Sequence, residues 1–193
     1  MPCEDMNLTL LTCLLAACGV FLIAESLGAP VTLALNFKGD VKRETRWLAQ
    51  YGQAVCTGVV ALLVWKLDGV APHKNAPLVV ILAVVGASLG SFLLKRILGR
   101  VRPGRENAGK FLGPTLRHAN WRESFPSSHS ASAVALSAVL ASLYPQATEI
   151  FWALAITCAV LRYIMDAHWP SDVLGGIALG YACAHLVLPR VLR

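Results

Sequence analysis

The sequence predicts an all-α integral membrane bundle of six transmembrane helices, with an interfacial helix between the first two. Three observations predict it. The 193 residues are 56% hydrophobic and only 15% charged, where a soluble domain carries about 25% charged residues. Apolar runs approaching the ~20 residues that a membrane crossing needs recur along the whole chain. Gly, Pro and basic residues gather in the short segments that separate those runs.

The first run, Leu8 to Ala24, follows Glu4 and Asp5 and has room to continue past Glu25 towards Leu35. An acidic start and a long apolar run argue against a cleaved signal peptide. Residues 36–50 are polar and basic, with Trp47 and Tyr51 nearby, a composition that suits a helix lying in the membrane interface. A second span runs from Tyr51 to Leu67, and Asp68-Gly69 with Pro72 and Pro77 mark a turn. The third, Ala76 to Leu98, ends at the basic pair Lys95-Arg96. Residues 99–126 form a loop rich in Gly, Pro and Arg, a length usually reserved for function or disorder. The fourth span starts at Ser127 and stops near Tyr144-Pro145. The fifth covers Ala147 to Met165 and the sixth Ser171 to Leu188. Residues 1–193 read as a single domain. Counting crossings places the end of the third span, the start of the fourth, the end of the fifth and the start of the sixth on one membrane face.

The net charge of +6 is local, because most Lys and Arg fall in segments 38–46 and 95–122. That distribution builds a site and excludes nucleic acid as a partner. The six cysteines (Cys3, Cys13, Cys18, Cys56, Cys158 and Cys183) show no paired spacing and read as small buried thiols. No feature of the sequence specifies an oligomeric state.

Three fragments on the shared face carry chemistry: Lys95 to Pro103, Pro126-Ser127-Ser128-His129, and Arg162 followed by His168 and Asp172. They supply cations, a hydroxyl, two imidazoles and a carboxylate, but no metal cage and no cofactor motif. Pro126 suits the first position of a helix, so the next residues expose unpaired N–H groups at the positive end of the helix dipole, a phosphate site. The Ser127 hydroxyl adds a donor, and His129 can give a proton to a departing oxygen. Pro170 repeats the device, letting Asp172 reach back to His168, fix its tautomer and leave the other ring nitrogen free to attack. A charge such as Arg162 within an apolar run is a functional candidate by default. Lys95 and Arg102 bracket the end of the third span, the guanidinium suited to bidentate contact with phosphate and the ammonium to a point charge. Each feature alone has a plain structural explanation: a helix cap, a juxtamembrane cation or a snorkelling arginine. Their convergence on one face does not.

Lys95-x6-Arg102-Pro103, Pro126-Ser127-Ser128-His129 and Arg162-x5-His168-x3-Asp172 resemble the three signature motifs of the type-2 phosphatidic acid phosphatase superfamily, which includes the vanadium haloperoxidases. The resemblance spans residues 95–172, and the apolar pattern extends it over the chain. Two positions depart from it. Ser128 stands where the family often has Gly, which leaves the backbone N–H in place. Leu161 precedes Arg162 where Ser is common, which removes one polar neighbour. The resemblance implies that His168 is the nucleophile, forming a phosphohistidine that water hydrolyses. It makes Asp172 the residue that orients His168, and His129 the leaving-group acid. Lys95, Arg102, Ser127 and Arg162, with the N–H groups around Ser128 and His129, would hold the phosphoryl oxygens. Positioning and charge stabilisation are what phosphoryl transfer mainly asks for, and fixed cations can supply them without Mg²⁺.

The expectation is therefore a metal-independent membrane lipid phosphatase with no cofactor, acting on a lipid phosphate held in the bilayer. Undecaprenyl pyrophosphate, phosphatidylglycerol phosphate, phosphatidic acid and lipid A phosphates are the substrates that the resemblance implies. A lipid phosphotransferase and a non-catalytic anion transporter are the alternatives; the haloperoxidases are soluble and larger. Glu25 is read as a buried or interfacial acid pairing with a base of segment 36–50, His118 as a solvated loop residue, and His73 and His185 as lying on the opposite face. Counted by face, Lys and Arg favour the catalytic side, which the positive-inside rule would make cytoplasmic. Several of those charges serve the phosphate, however, and resemblance to bacterial lipid phosphatases implies an active site facing outward from the inner (cytoplasmic) membrane.

Overall fold

A computed structural model describes residues 6–29, 31–33, 35, 39–66 and 74–191. Seven helices make up the described chain: α1 (Leu8–Ser26), α2 (Gly39–Leu48), α3 (Ala54–Lys66), α4 (Ala76–Leu98), α5 (Ser128–Leu143), α6 (Thr148–Ile164) and α7 (Pro170–Val191). Short 3₁₀ turns occupy Asn120–Arg122 and Pro145–Ala147, and no strand is present among the described residues. The turn expected at Asp68-Gly69-Pro72, with Cys3 and His73, lies outside the described residues.

The helices begin and end for local reasons. Asn7 caps α1 by accepting from the Leu10 N–H at 3.0 Å. Gly99 stops α4 in the left-handed conformation, φ 61°, and donates to the Lys95 carbonyl. Pro170 is the first residue of α7, as expected, but Pro126 does not open α5. Ser127 is the N-cap, and the helix starts at Ser128. A serine hydroxyl satisfies an orphan N–H, which a proline ring cannot do.

α5 is the centre of the bundle, packed against α4, α6 and α7, with every residue from Ser130 to Leu140 buried. α5 and α7 run parallel: the Ser127 N–H donates to the Asp172 carbonyl at 2.9 Å, and farther along Gly180 lies directly on the Ala131 backbone. α4 runs the other way, with Asn75 bonded to the Val191 carbonyl at one end and Arg100 bonded to Ser171 at the other. α1 is also antiparallel to α7, since Asn7 meets the Tyr181 hydroxyl and Glu25 meets Ser171. The ends of α1 and α4 therefore share one level with the starts of α5 and α7. α3 joins lower down, because Gly52 (φ 80°) sits against the backbone of Ala133, where no side chain would fit.

Four helices are long and apolar enough to cross a membrane, namely α1, α4, α7 and the stretch Pro145–Ile164 that contains α6. α3 and α5 are apolar but have 13 and 16 residues, rising about 20 and 24 Å at 1.5 Å per residue. Large apolar side chains stand exposed along α1, α3, α4 and α6, which hydrocarbon solvates and water would not. Among the thiols, Cys18 and Cys158 are buried as expected, but Cys13 is exposed on α1.

The α5–α7 contact depends on Gly180 having no side chain. Gly180→Ala is expected to lower the unfolding midpoint in detergent by an amount equivalent to about 1–3 kcal/mol, the usual penalty of overpacking. Gly86→Ala, whose added methyl would meet only the Cys183 sulfur at 3.9 Å, is expected to leave it in place. Equal midpoints for the two variants would show that α5 and α7 do not depend on this approach.

Candidate active site

The loop from 99 to 126 is an ordered strap over the end of α4. Its N–H groups from Leu112, Gly113 and Thr115 donate to the carbonyls of Gly99, Leu98 and Arg96 at 2.9–3.1 Å, satisfying acceptors that a helix end leaves unpaired. The strap returns through Arg102 N–H to the Trp121 carbonyl and Ser124 N–H to the Arg100 carbonyl. Lys95, in the last turn of α4, and Arg102, just beyond it, are thereby fixed relative to the starts of α5 and α7.

Beneath the strap lies a buried ionic network. Arg100 is 1% exposed. Its Nη1 donates to Asp172 Oδ1 and Ser171 Oγ, both at 2.6 Å, and its Nη2 donates to Glu25 Oε2 at 2.6 Å. Nε reaches the Gly109 carbonyl at 3.3 Å, and the guanidinium also lies against the rings of Phe111 and Trp169. Glu25 accepts from the Ser171 N–H at 3.1 Å and from the Ser171 hydroxyl. The anion at the start of α7 is thus a carboxylate of α1, where the dipole favours it. Sequence reasoning paired Glu25 with segment 36–50; its partner is Arg100, whose guanidinium already lies at that helix end.

Asp172 is wholly buried, and Oδ2 accepts from the Trp169 N–H at 2.9 Å and from the Ser124 hydroxyl. His168, 2% exposed, presents Nδ1 to Oδ2 at 3.6 Å. That is an ion-pair contact longer than a hydrogen bond, and Nδ1 has no hydrogen-bond partner among the described residues. Catalytic bonds often tighten only when substrate arrives. Burial above all, with Lys95 and Arg102 adding to it against the opposing Asp172 carboxylate, holds the His168 imidazole well below its usual pKa. A ring held there is neutral at physiological pH and keeps a lone pair on one nitrogen.

Facing this pair are the residues expected to hold an anion. The charges of Arg162, Lys95 and Arg102 all act on His129. Arg162 Nε is buried without a partner among the described residues. Such a group is costly unless something else pairs with it. Arg102 spends three guanidinium N–H groups on the carbonyls of Asn120, Ala167 and Glu123, so two of its five donors have no acceptor among the described residues. At the start of α5 the N–H groups of Ser128 and His129 have no acceptor among the described residues. Ser127 is fully buried and its hydroxyl accepts from Ser130 N–H and Oγ. It caps this helix start through its lone pairs, and its own O–H is not used by either bond. Next to Arg102, Arg105, Glu106, Asn107, Asn120 and Trp121 line a groove of about 580 Å³.

All eight predicted residues lie at this end of the bundle. Arg100, Ser124, Ser171 and Glu25 were not assigned to it from sequence, although Arg100 stands within the basic run 95–103 and Ser171 beside Asp172. His118 is exposed but bonded, its Nδ1 lying 2.9 Å from Glu123 Oε1. His185 sits on Tyr181, far along α7.

A model of the PAP2 superfamily matches residues 76–193, well over half of the chain. The chain belongs to the PAP2 superfamily. Two relatives are lipid A 1-phosphatases: one of Rhizobium etli, 42% identical over 99 residues, and one of Rhizobium johnstonii, 41% identical over 99. Each match covers 50% of this chain but only 42% and 40% of the relative, so this PAP2 chain spans less than half the length of either. A solved PAP2-type phosphatidylglycerolphosphate phosphatase of Bacillus subtilis shares the fold, with TM-score 0.58 and 18% identity, over 92% of this chain and 93% of that one.

A neutral buried His168 couples folding to pH. Its folded pKa lies below the usual imidazole value of 6.5, so the unfolded chain binds the extra proton and stability falls as pH drops below about 6.5. The slope approaches about 1.4 kcal/mol per pH unit for one such group. His168→Gln is expected to flatten that loss between pH 6.5 and 5, read from unfolding midpoints in detergent. The same slope in both proteins would remove His168 as its source.

Proposed function

We propose that this protein is an integral membrane phosphatase that hydrolyses the phosphomonoester or pyrophosphate of a lipid through a phosphohistidine. The observation that carries the reading is the pairing of a buried neutral His168 beside Asp172 with an anion cradle that has unspent donors at Arg162, Arg102 and the start of α5. Chain membership in the PAP2 superfamily and the names of the similar proteins support it.

In this mechanism the phosphoryl oxygens lie among Lys95, Arg102, Arg162 and the N–H groups of Ser128 and His129. His168 Nε2 attacks phosphorus as the bond to the departing oxygen breaks, and the Asp172 carboxylate beside Nδ1–H offsets the positive charge that the ring gains. His129 protonates the departing oxygen, then takes a proton from the water that cleaves the phosphohistidine. Charge that develops on the equatorial oxygens meets fixed cations, so hydrolysis is expected to persist in excess EDTA. The groove beside Arg102 gives a polar headgroup room next to the phosphate, and candidates run from phosphatidic acid and phosphatidylglycerol phosphate to undecaprenyl pyrophosphate and lipid A phosphates.

The proposal places six crossings in a bacterial inner membrane, α1 and α3 to α7, with α2 in the interface and the active site outward. α5 needs no full hydrocarbon length of its own because α4, α6 and α7 surround it. Cysteine labelling of a residue added near position 110 tests the orientation, and reaction with an impermeant reagent on intact cells is the outcome expected.

With purified protein and a panel of lipid phosphates in micelles, His129→Ala is expected to slow phosphate release by about 10²–10⁴-fold. His168→Ala is expected to abolish it. Radiolabelled phosphate should accumulate on His168 in the His129 variant. Full release by both variants would end the enzyme reading, and transport of phosphate by the His168 variant would favour an anion carrier.

A further inference from the structure

The chemistry proposed above uses His168 and Asp172 and gives no part to the carboxylate that α1 delivers beside them. Glu25 has a side chain 1% exposed, near the end of an otherwise apolar helix, where an acid is expensive unless it is paired. It is bonded three ways: to Arg100 Nη2 at 2.6 Å, to the Ser171 N–H at 3.1 Å and to the Ser171 hydroxyl. Arg100 in turn gives its other terminal nitrogen to Asp172 Oδ1 at 2.6 Å. One guanidinium is shared between two carboxylates, and only one of them faces the nucleophile.

We propose that Glu25 is a positioning residue for the reaction: by taking one arm of Arg100 and anchoring Ser171, it keeps Asp172 turned to His168 and holds the imidazole proton on Nδ1. A guanidinium is a planar fork that matches a single carboxylate in two parallel bonds. Without a competitor, Nη2 would pull on Oδ2 against the Trp169 N–H and Ser124 hydroxyl that hold it 3.6 Å from His168 Nδ1. Glu25 removes that pull by occupying Nη2.

The charges point the same way. Arg100, Lys95, Arg102 and the His168 ring act on Asp172, and Lys95, Arg102 and Asp172 act on His168. Glu25 itself faces Arg100 and, on its own helix, the Cys18 thiol, whose sulfur donates to the Ser171 carbonyl at 3.3 Å. Two carboxylates thus balance most of three cations. Neutralising Glu25 adds net positive charge beside the imidazole and disfavours its protonated form.

The test uses the full chain in detergent, with ¹⁵N-histidine spectra in which His168 is assigned by its loss in His168→Gln. The wild-type ring is expected as the Nδ1–H tautomer, and Glu25→Gln as a mixture. The kinetic arm rests on the phosphatase reading. There, Glu25→Gln should lower kcat by about tenfold, the usual effect of losing a supporting partner, leave KM within about twofold, and move the acid limb of kcat to lower pH. Glu25→Asp keeps the charge one methylene short and should move tautomer and limb the same way by less. An unaltered tautomer and acid limb in Glu25→Gln, whatever its midpoint, would overturn the proposal. If Glu25→Gln does not fold, the same wild-type behaviour in Glu25→Asp would do so. If the wild-type chain releases phosphate from no lipid, the phosphatase reading fails and the tautomer alone decides this inference.

Discussion

Arg100 is the cation on which one whole end of the bundle depends. It is nearly inaccessible to solvent, and it ties the strap after α4 to α1 through Glu25 and to α7 through Ser171 and Asp172. Taking such charges out of water costs several kcal/mol per ion, recovered only when every lone pair and proton finds a partner. Here nearly every one does: Ser171, Ser124, the Trp169 N–H and the Gly109 carbonyl complete the set. Removing one partner from a network of this kind typically costs about 3–5 kcal/mol, because the remaining charge stays buried. The network is therefore a weak source of stability but a strong constraint on arrangement. It admits one placement of three helix ends.

The cradle above it follows the opposite rule. Among the described residues Arg162 Nε has no partner, two donors of Arg102 are unspent, and the first N–H groups of α5 are open. A saturated lower layer and an unsaturated upper layer differ in what they can do. The lower layer cannot reorganise cheaply and holds its side chains in one arrangement; the upper layer has donors to offer an anion. Preorganised donors of this kind lower a barrier because they need no rearrangement when charge develops.

Much of this was legible in the sequence, and the exceptions have a common cause. The span Ala76–Leu98 coincides with α4, and the other apolar runs match helices to within a few residues, because hydropathy and Pro/Gly punctuation are local signals. The eight candidate residues gather at one end because parity of crossings is also readable from a linear pattern. Glu25 and Arg100 were not legible as partners, since 75 residues separate them and no period links α1 to the strap.

The parallel contact of α5 and α7 has one more implication. His129 belongs to the first turn of one helix and His168 lies two residues ahead of the other, and the Ser127–Asp172 backbone bond joins those two starts directly. A shift of α7 would carry both imidazoles together through that bond, and Arg100, which fastens the strap to the same helix start, would carry Arg102 with them. The two rings and the strap cations therefore share one frame, whose gauge is set when the bundle folds.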